Sequence, residues 1–181
     1  MHALASGKAV VLFSGGQDST IALAWALNRY QSVATIGFDY GQRHAVELGA
    51  RSAVRREFAR QFPTWAEKWE GDTLVDLSGL GRISETALTR DVEIAMAANG
   101  LPTTFVPGRN LAFMVLAGAF AYRRGAGVVV GGMSEADYSG YPDCREAALR
   151  AQAEALRLGM DAALSFEAPL LHRSKADSWR L

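Results

Sequence analysis

The hydrophobic residues of this sequence form short continuous runs, separated by longer segments with helical periodicity. Residues 9–13, 33–38 and 127–132 are apolar without a period of two, as is typical of strands buried on both faces of a parallel sheet. Residues 73–77 and 165–168 are weaker strand candidates. The pattern therefore predicts five strands.

Helical patterns lie between these runs. The first strand leads through a glycine turn into a helix that ends near Tyr30, and Asp18 or Ser19 can cap it. The long charged helix that follows the second strand is expected to turn its arginines to solvent. That charged helix is predicted over residues 46–61, and further helices over residues 109–124 and 145–158, with Ser174 as the candidate cap of a short final helix.

This alternation predicts an α/β fold: a doubly wound parallel sheet with helices on both faces. A chain of 181 residues fits one domain, residues 1–181, and shows no internal repeat or linker. Residues 78–107 are irregular, and a connection of that length is usually functional or mobile. Because the final helical pattern is so short, we expect the sequence to be truncated at its C-terminus.

Composition narrows the function classes. Nineteen basic and nineteen acidic residues cancel, so we expect small-molecule substrates and neither a nucleic acid nor a membrane as partner. A single cysteine, Cys144, excludes an internal disulfide framework, and we interpret it as a packing residue. Residues 1–8 contain no signal sequence, and the apolar residues 111–122 are fewer than the ~20 that cross a bilayer as a helix. We expect a cytoplasmic protein.

The unusual residues follow the predicted strands. In doubly wound sheets, ligands bind outside the carboxyl ends of the strands, where the loops converge. Here those loops are residues 14–19, 39–43, 132–145 and 170–175. We therefore expect them to form one composite site.

The first loop, Ser14-Gly15-Gly16-Gln17-Asp18-Ser19, is the most informative. Adjacent glycines let backbone N–H groups approach an anion, and the helix that follows presents its positive end, so phosphate is the expected ligand. The loop lacks the Gly-Lys-Ser/Thr ending of a Walker loop and is not a dinucleotide fingerprint. The alternative is a tight turn with a helix cap and no ligand.

Taken with the preceding strand, the string VLFSGGQDS resembles the signature of the N-type ATP pyrophosphatases, the PP-loop superfamily of adenine nucleotide alpha hydrolase-like folds. Three further strings, FDYGQRH, FVPGRN and DYSGYPDCR, together with SKAD near the end, resemble the QueC family of 7-cyano-7-deazaguanine synthases. The resemblance runs from about Lys8 to the last residue. Residues 61–72, with Trp65 and Trp69, match the family poorly and suggest a local elaboration.

The resemblance implies a ligase that converts 7-carboxy-7-deazaguanine and ammonia to the nitrile preQ0 and releases AMP and pyrophosphate. It implies ATP and Mg²⁺ as cofactors, with Asp18 as the candidate magnesium ligand. It also implies Zn²⁺ on four cysteines of a tail that would lie beyond Leu181, so no zinc ligand is expected in this chain. A homodimer is expected from the family and from Trp65 and Trp69.

Site residues are assigned from the same strings. The expected catalytic residues are Asp18, Lys175 and Arg109. The nucleotide is expected to contact Phe13, Ser14, Gly15, Gly16, Gln17, Asp18, Ser19, Thr20 and Asp39. The deazaguanine acid is expected to contact Arg43, Tyr138, Tyr141, Asp143 and Arg145, since a planar base needs aromatic faces and a carboxylate for its N–H edge.

Each assignment has an alternative. Lys175 can be a solvated lysine in a first helical turn, and Arg109 can simply start a helix. Asp39 can form a structural ion pair with Arg43. Asp143 can cap the helix that begins at Arg145.

Three alternatives concern metals and the whole protein. His44 and His172 are interpreted as polar neighbours of the site rather than metal ligands, because no second ligand follows either of them at a suitable spacing. The chain can also be a different PP-loop adenylating ligase. It can, finally, be a nucleotide-binding remnant without turnover.

Overall fold

The computed structural model describes residues 5–41, 46–84, 86, 88, 95–98, 100–135 and 141–181. Its centre is a sheet of five parallel strands in the order β3-β2-β1-β4-β5. The strands are β1 Ala5–Leu12, β2 Ser32–Asp39, β3 Trp69–Asp76, β4 Ala126–Val130 and β5 Ser165–Glu167. The predicted α/β class and parallel sheet are confirmed.

The residues of β1 alternate between two hydrophobic cores. Val10 and Leu12 belong to one core, whereas Ala9, Val11 and the following Phe13 belong to the other. Both sets are almost completely buried, so apolar residues are needed throughout positions 9–13. This explains why the sequence shows a continuous apolar run there.

Helices cover both faces of the sheet. Side chains of α1, α2 and α3 pack in one core, and side chains of α5 and α6 pack in the other. The helices are α1 Gln17–Arg29, α2 Val46–Gln61, α3 Pro63–Lys68, α4 Ser78–Ile83, α5 Arg109–Arg124, α6 Glu146–Gly159 and α7 Lys175–Ser178, with a 3-10 turn at Pro142–Cys144. No helix among the described residues has the length and apolar character needed to cross a membrane.

The strand order places the candidate loops together. The chain winds outward from β1 through β2 to β3, and then returns to place β4 on the other side of β1. The loops after β1 and β4 therefore flank the point where the winding direction reverses, which is where doubly wound sheets bind ligands. The sequence-based placement of the site agrees with this topology.

Several local predictions are wrong. The N-cap of α1 is Gly16, without a side-chain cap, and Asp18 and Ser19 lie inside the first turn. The arginines of α2 do not all face solvent, because Arg51 is only 3% exposed. Trp69 is 4% exposed as the first residue of β3, so it is not available as a dimer contact. By contrast, the predicted cap Ser174 is confirmed: its hydroxyl accepts the Asp177 N–H.

Two short helices lie where the sequence predicted none. Helix α3 and the start of β3 lie within the segment that matches the family poorly, and α4 occupies the first residues of the long connection that was predicted to be irregular. Later in that connection, Met96 and Pro102 form an isolated antiparallel bridge.

Candidate functional site

Hydroxyl groups and a left-handed glycine shape the loop after β1. Gly15 has φ of 91°, a conformation that favours glycine. The Ser19 hydroxyl donates to the Gly16 carbonyl at 2.9 Å and accepts the Ser14 N–H at 3.2 Å. Thr20 also donates its hydroxyl to the Gly16 carbonyl at 2.9 Å. These bonds fold the loop over the first turn of α1, whose N–H groups have no partner within the helix.

Lys175 reaches the loop from the far end of the chain. Its Nζ lies 2.7 Å from Oδ2 of Asp18, which joins the start of α7 to the first turn of α1. The Lys175 side chain is 52% exposed and that of Asp18 is 29% exposed. A cation is thus held at the positive end of a helix, an arrangement suited to an anion with several charges.

The other carboxylate oxygen of Asp18 is an observation in favour of a metal. Among the described residues, Asp18 Oδ1 is buried and has no hydrogen-bond partner. A buried carboxylate oxygen without a partner is costly, and Mg²⁺ prefers oxygen ligands beside phosphates. The residues present therefore fit a magnesium ion that is brought with a nucleotide.

A cavity of about 300 Å³ opens beside this loop. Its walls come from the carboxyl ends of β1, β2 and β4 and from the start of α5. They include Phe13, Ser14, Asp18, Ser19, Phe38, Tyr40, Arg109, Asn110, Phe113, Gly132, Met133, Tyr141 and Cys144. The volume is at the lower end of the range for small-molecule sites.

Arg109 lies between two aromatic rings in this cavity. Its guanidinium carbon is 5.6 Å from the ring centres of both Tyr40 and Tyr141, and Nη1 donates to the Tyr40 hydroxyl at 3.2 Å. The Tyr141 hydroxyl lies 2.7 Å from the Thr104 hydroxyl. Stacking between two rings limits the orientations of the guanidinium and leaves its edge for an anion.

The Asp143 carboxylate accepts a hydrogen bond at the start of α5 and does not cap α6. It is 5% exposed, and its Oδ2 accepts the Asn110 N–H at 3.0 Å. Its Oδ1 is buried without a partner in the described part of the chain. Cys144 accepts a hydrogen bond from the Asn110 side chain at 3.2 Å, and the exposed Arg145 is the N-cap residue of α6. Neither Asp143 nor Arg145 lines the cavity.

The remaining predicted residues differ in how close they come to the cavity. Asp39 is half-buried at the end of β2, where its Oδ1 accepts the Gly41 N–H at 3.1 Å. Gly15, Gly16, Gln17 and Thr20 belong to the loop and first turn but are not cavity walls. Arg43, His44 and Tyr138 lie outside the described residues.

A second group of ligating side chains lies beside α6. In the described part of the chain, ligand atoms of Glu135, Glu146 and His172 lie within 4.8 Å of one another. His172 Nε2 is 3.2 Å from Glu146 Oε2, and Glu135 accepts the Glu146 N–H at 3.1 Å. Spacing along the sequence missed these carboxylates because Glu135 and Glu146 are both far from His172 in the sequence. A zinc site of four thiolates does not fit this chain, whose one cysteine is Cys144.

The sequence did not single out two of the features around the cavity. Phe38 and Phe113 stack at 4.4 Å and form an apolar wall, and Tyr40 packs on Phe113 at 5.7 Å. Arg51 lies behind the loop, where it pairs with Asp72; burial lowers the pKa of its guanidinium and the Asp72 carboxylate opposes that shift. The burial of Arg51 could have been inferred from the sequence, because its spacing from Val54 and Phe58 places it on the apolar face of the helix.

Comparisons with known proteins agree with this geometry. A family model described as "Queuosine biosynthesis protein QueC" matches residues 8–181. The chain is 60% identical to a 7-cyano-7-deazaguanine synthase of Paraburkholderia phymatum over 98% of this chain and 73% of that relative. It is 59% identical to a protein of the same name from Burkholderia multivorans, over 98% of this chain and 72% of the relative.

Among solved structures, a protein described as a predicted subunit of tRNA methyltransferase from Methanocaldococcus jannaschii aligns with 96% of this chain and 72% of its own. Its TM-score is 0.47 and its identity 12%, a level that supports no functional inference. The family model and the close relatives are far stronger. This chain belongs to the QueC family of queuosine biosynthesis proteins.

Proposed function

We propose that this protein is an ATP-dependent ligase that makes 7-cyano-7-deazaguanine from 7-carboxy-7-deazaguanine and ammonia. The relatives that are 59 to 60% identical over 98% of the chain carry the name of that synthase. The observation that carries the proposal is the loop after β1, where Lys175 and the first turn of α1 meet on Asp18 beside a cavity.

The proposed chemistry has two activation steps. The carboxylate of the substrate attacks the α-phosphorus of ATP, and pyrophosphate leaves with the pair of electrons of the broken P–O bond. Ammonia then attacks the acyl carbon, loses a proton and displaces AMP to give the amide. The amide oxygen attacks the α-phosphorus of a second ATP and displaces a second pyrophosphate, and loss of AMP and of both nitrogen protons then leaves the nitrile. Both activations use one pyrophosphate site.

The loop residues are proposed to hold the phosphates. N–H groups of residues 15–19 and the hydroxyls of Ser14 and Ser19 are suited to the leaving pyrophosphate, whose charge grows as the P–O bond breaks. Asp18 Oδ1 would be the protein ligand of Mg²⁺, which supplies charge neutralisation on the phosphates. We propose that Lys175 exchanges part of its contact with Asp18 for the departing phosphate.

The stacked Arg109 is proposed to bind the anionic part of the substrate or the α-phosphate. It faces the cavity, and its orientation is fixed by Tyr40 and Tyr141. Phe13 and the Asp39 end of β2 are proposed neighbours of the nucleotide. The deazaguanine is proposed to bind near Tyr141 and Asp143, together with Arg145, Arg43 and Tyr138.

The test is direct. The purified chain is incubated with 7-carboxy-7-deazaguanine, ATP, Mg²⁺ and ammonium, and the products are analysed by mass spectrometry. We expect the nitrile, with two AMP and two pyrophosphate molecules formed for each one. AMP formation only with another acid would indicate a different adenylating ligase, and ATP binding without AMP would indicate a protein that has lost turnover.

The site itself has a separate test. Replacing Gly16 by a bulky residue should abolish ATP–pyrophosphate exchange, because the side chain would occupy the space of the phosphate. An unchanged exchange rate would refute the proposal that this loop binds the phosphates. We also propose a homodimer in the cytoplasm. Sedimentation equilibrium measures the first property, and fractionation of cells that express the protein measures the second.

A further inference from the structure

Arg51 is an arginine on the apolar side of helix α2. It precedes Val54 by three positions and Phe58 by seven, so all three share one face of the helix. Val54 and Phe58 pack against the core that contains α1, and Arg51 is only 3% exposed. A buried charge needs partners, because an unpaired one is strongly unfavourable.

Those partners are on β3 and at the end of β1. Nη2 pairs with Asp72 Oδ1 and donates to the Thr73 carbonyl at 3.1 Å, and Nε donates to Asp72 Oδ2 at 3.2 Å. Asp72 is held in turn by the Thr35 hydroxyl at 2.6 Å. The remaining group, Nη1, donates to the Phe13 carbonyl. The guanidinium also lies 5.2 Å from the Phe13 ring centre.

A glycine on β2 makes room for this side chain. A Cβ at Gly37 would lie 2.5 Å from both the Arg51 guanidinium carbon and the Phe13 carbonyl oxygen. No side chain fits at such distances. The same sheet face thus combines Gly37, which provides space, with Thr35, which provides a hydroxyl for Asp72.

The Phe13 carbonyl is part of the peptide group that starts the candidate phosphate loop. A peptide group is planar, so the orientation of the Phe13 carbonyl also fixes the orientation of the Ser14 N–H. That N–H donates to the Ser19 hydroxyl at 3.2 Å, the bond that folds the loop over α1. The Phe13 N–H is separately fixed by the Ile36 carbonyl at 2.8 Å.

We propose that Arg51 is a positioning residue for the phosphate loop: by holding the peptide group between Phe13 and Ser14, it keeps the loop in its phosphate-binding conformation before a ligand arrives. This inference rests on the proposed function of the loop. It gives residues 61–72 a role, since this segment leads to Asp72, which fixes the guanidinium. Arg51 touches neither nucleotide nor substrate in this scheme.

The test compares pyrophosphate and ATP affinity by isothermal titration calorimetry in Arg51→Lys, Arg51→Met and the control Arg55→Met. Arg55 is on the same helix but is exposed, and its guanidinium stacks on the Trp69 ring at 5.2 Å. Binding is measured where circular dichroism shows each variant to be folded. If only about 1–10% of the folded variant molecules keep the phosphate-binding conformation of the loop, the affinity for pyrophosphate and ATP drops roughly 10- to 100-fold. The control should stay within about threefold of the unaltered protein.

A merely structural role would lower the melting temperature without changing the affinity of folded protein. To separate the two roles, Arg51→Lys is combined with Ser19→Ala. Because the proposed path runs through the Ser19 hydroxyl, the loss from Arg51→Lys should be much smaller in the Ser19→Ala background. Independent effects would instead add, and additivity would count against the inference.

Each remaining outcome is decisive. Folded Arg51 variants with unchanged pyrophosphate affinity overturn the inference and leave the proposed function intact. If the unaltered protein binds neither pyrophosphate nor ATP, the proposed function fails and the inference fails with it. Should the Arg51 variants not fold, Asp72→Asn decides: it keeps the shape of the side chain but loosens the guanidinium. Weaker pyrophosphate binding then supports the inference, and unchanged binding overturns it.

Discussion

Gly132 provides a sharp test of how closely the two central loops pack. It follows β4 and faces the first turn of α1. A Cβ added there would lie 2.9 Å from the carbonyl carbon and oxygen of Asp18 and 3.0 Å from the Ser19 nitrogen. All three are backbone atoms, so no rotamer change can relieve the contact. The φ of Gly132 is outside the left-handed region, so the Gly132→Ala variant reports the contact alone.

The size of the effect follows from these distances. Ordinary non-bonded contacts are about 3.5–4.0 Å, so the loop and helix must separate by roughly 0.5–1 Å. Overpacking of this kind costs about 1–3 kcal/mol. For a chain of this size, each kcal/mol lowers the melting temperature by roughly 2–4 °C, which predicts a decrease of about 2–12 °C. The shift displaces Asp18 and Ser19, and a misplacement of about 1 Å can lower a rate by roughly 100-fold.

The assays are thermal unfolding by circular dichroism and the rate of AMP formation with all substrates present. Gly159→Ala is the matched control, because a Cβ at the end of α6 meets no described atom within 4 Å. We expect this control to keep its rate and to gain up to about 1 kcal/mol of stability. A Gly132→Ala protein with an unaltered melting temperature and rate would refute the proposed close packing.

Three further expectations concern charge, pH and helix propensity. Lys175→Ala should lower the AMP-formation rate roughly 100-fold, whereas Lys8→Ala, at an exposed position in β1, should not; equal rates for the two would leave Lys175 a surface lysine. Burial and its hydrogen bond to Glu167 raise the pKa of Tyr30 from 10.0 to about 12. The associated stability is present below pH 10 and lost as pH rises toward 12, so the stability advantage over Tyr30→Phe, about 1 kcal/mol, should shrink over that interval in denaturant titrations. Gly49→Ala in the exposed part of α2 should raise the melting temperature by about 1–4 °C in a thermal melt, because alanine favours a helix and the methyl meets no atom of the described residues within 4 Å.

The elements that depend on the apolar pattern could be predicted well. Helix α5 has the predicted bounds, and β1, β2 and α1 differ from the prediction by a few residues at most. These elements are buried in one or both cores, so burial determines their composition. The six-residue helices α3 and α4 were missed, because helices so short depend on tertiary contacts rather than on a repeating pattern.

The site was predictable at the level of loops but not of every side chain. The predicted parallel sheet implied that residues 14–19 and 170–175 would lie at the same edge, because both loops follow strands of that sheet. The pairing of Asp143 with the Asn110 N–H could not be predicted, since it joins residues 33 positions apart through the packing of two helices. The roles of the site residues remain predictions that the proposed variants test.

Arg51 shows why an arginine should not always be assigned to the surface. A long aliphatic stem can cross an apolar layer and place its charged group on distant partners, so the helix pattern around Val54 and Phe58 is compatible with a buried arginine. Strand β2 supports the same interpretation. Thr35 and Gly37 lie on one face of this buried strand, where the hydroxyl binds Asp72 and the glycine leaves room for the guanidinium. The arginine on the apolar face of α2 and the Thr35–Gly37 pair on β2 are each common alone, but together they indicate a buried polar contact between the helix and the sheet. Because the guanidinium pairs with Asp72 of β3 and also ends on the Phe13 carbonyl, it links β3 directly to the loop that we propose binds phosphate.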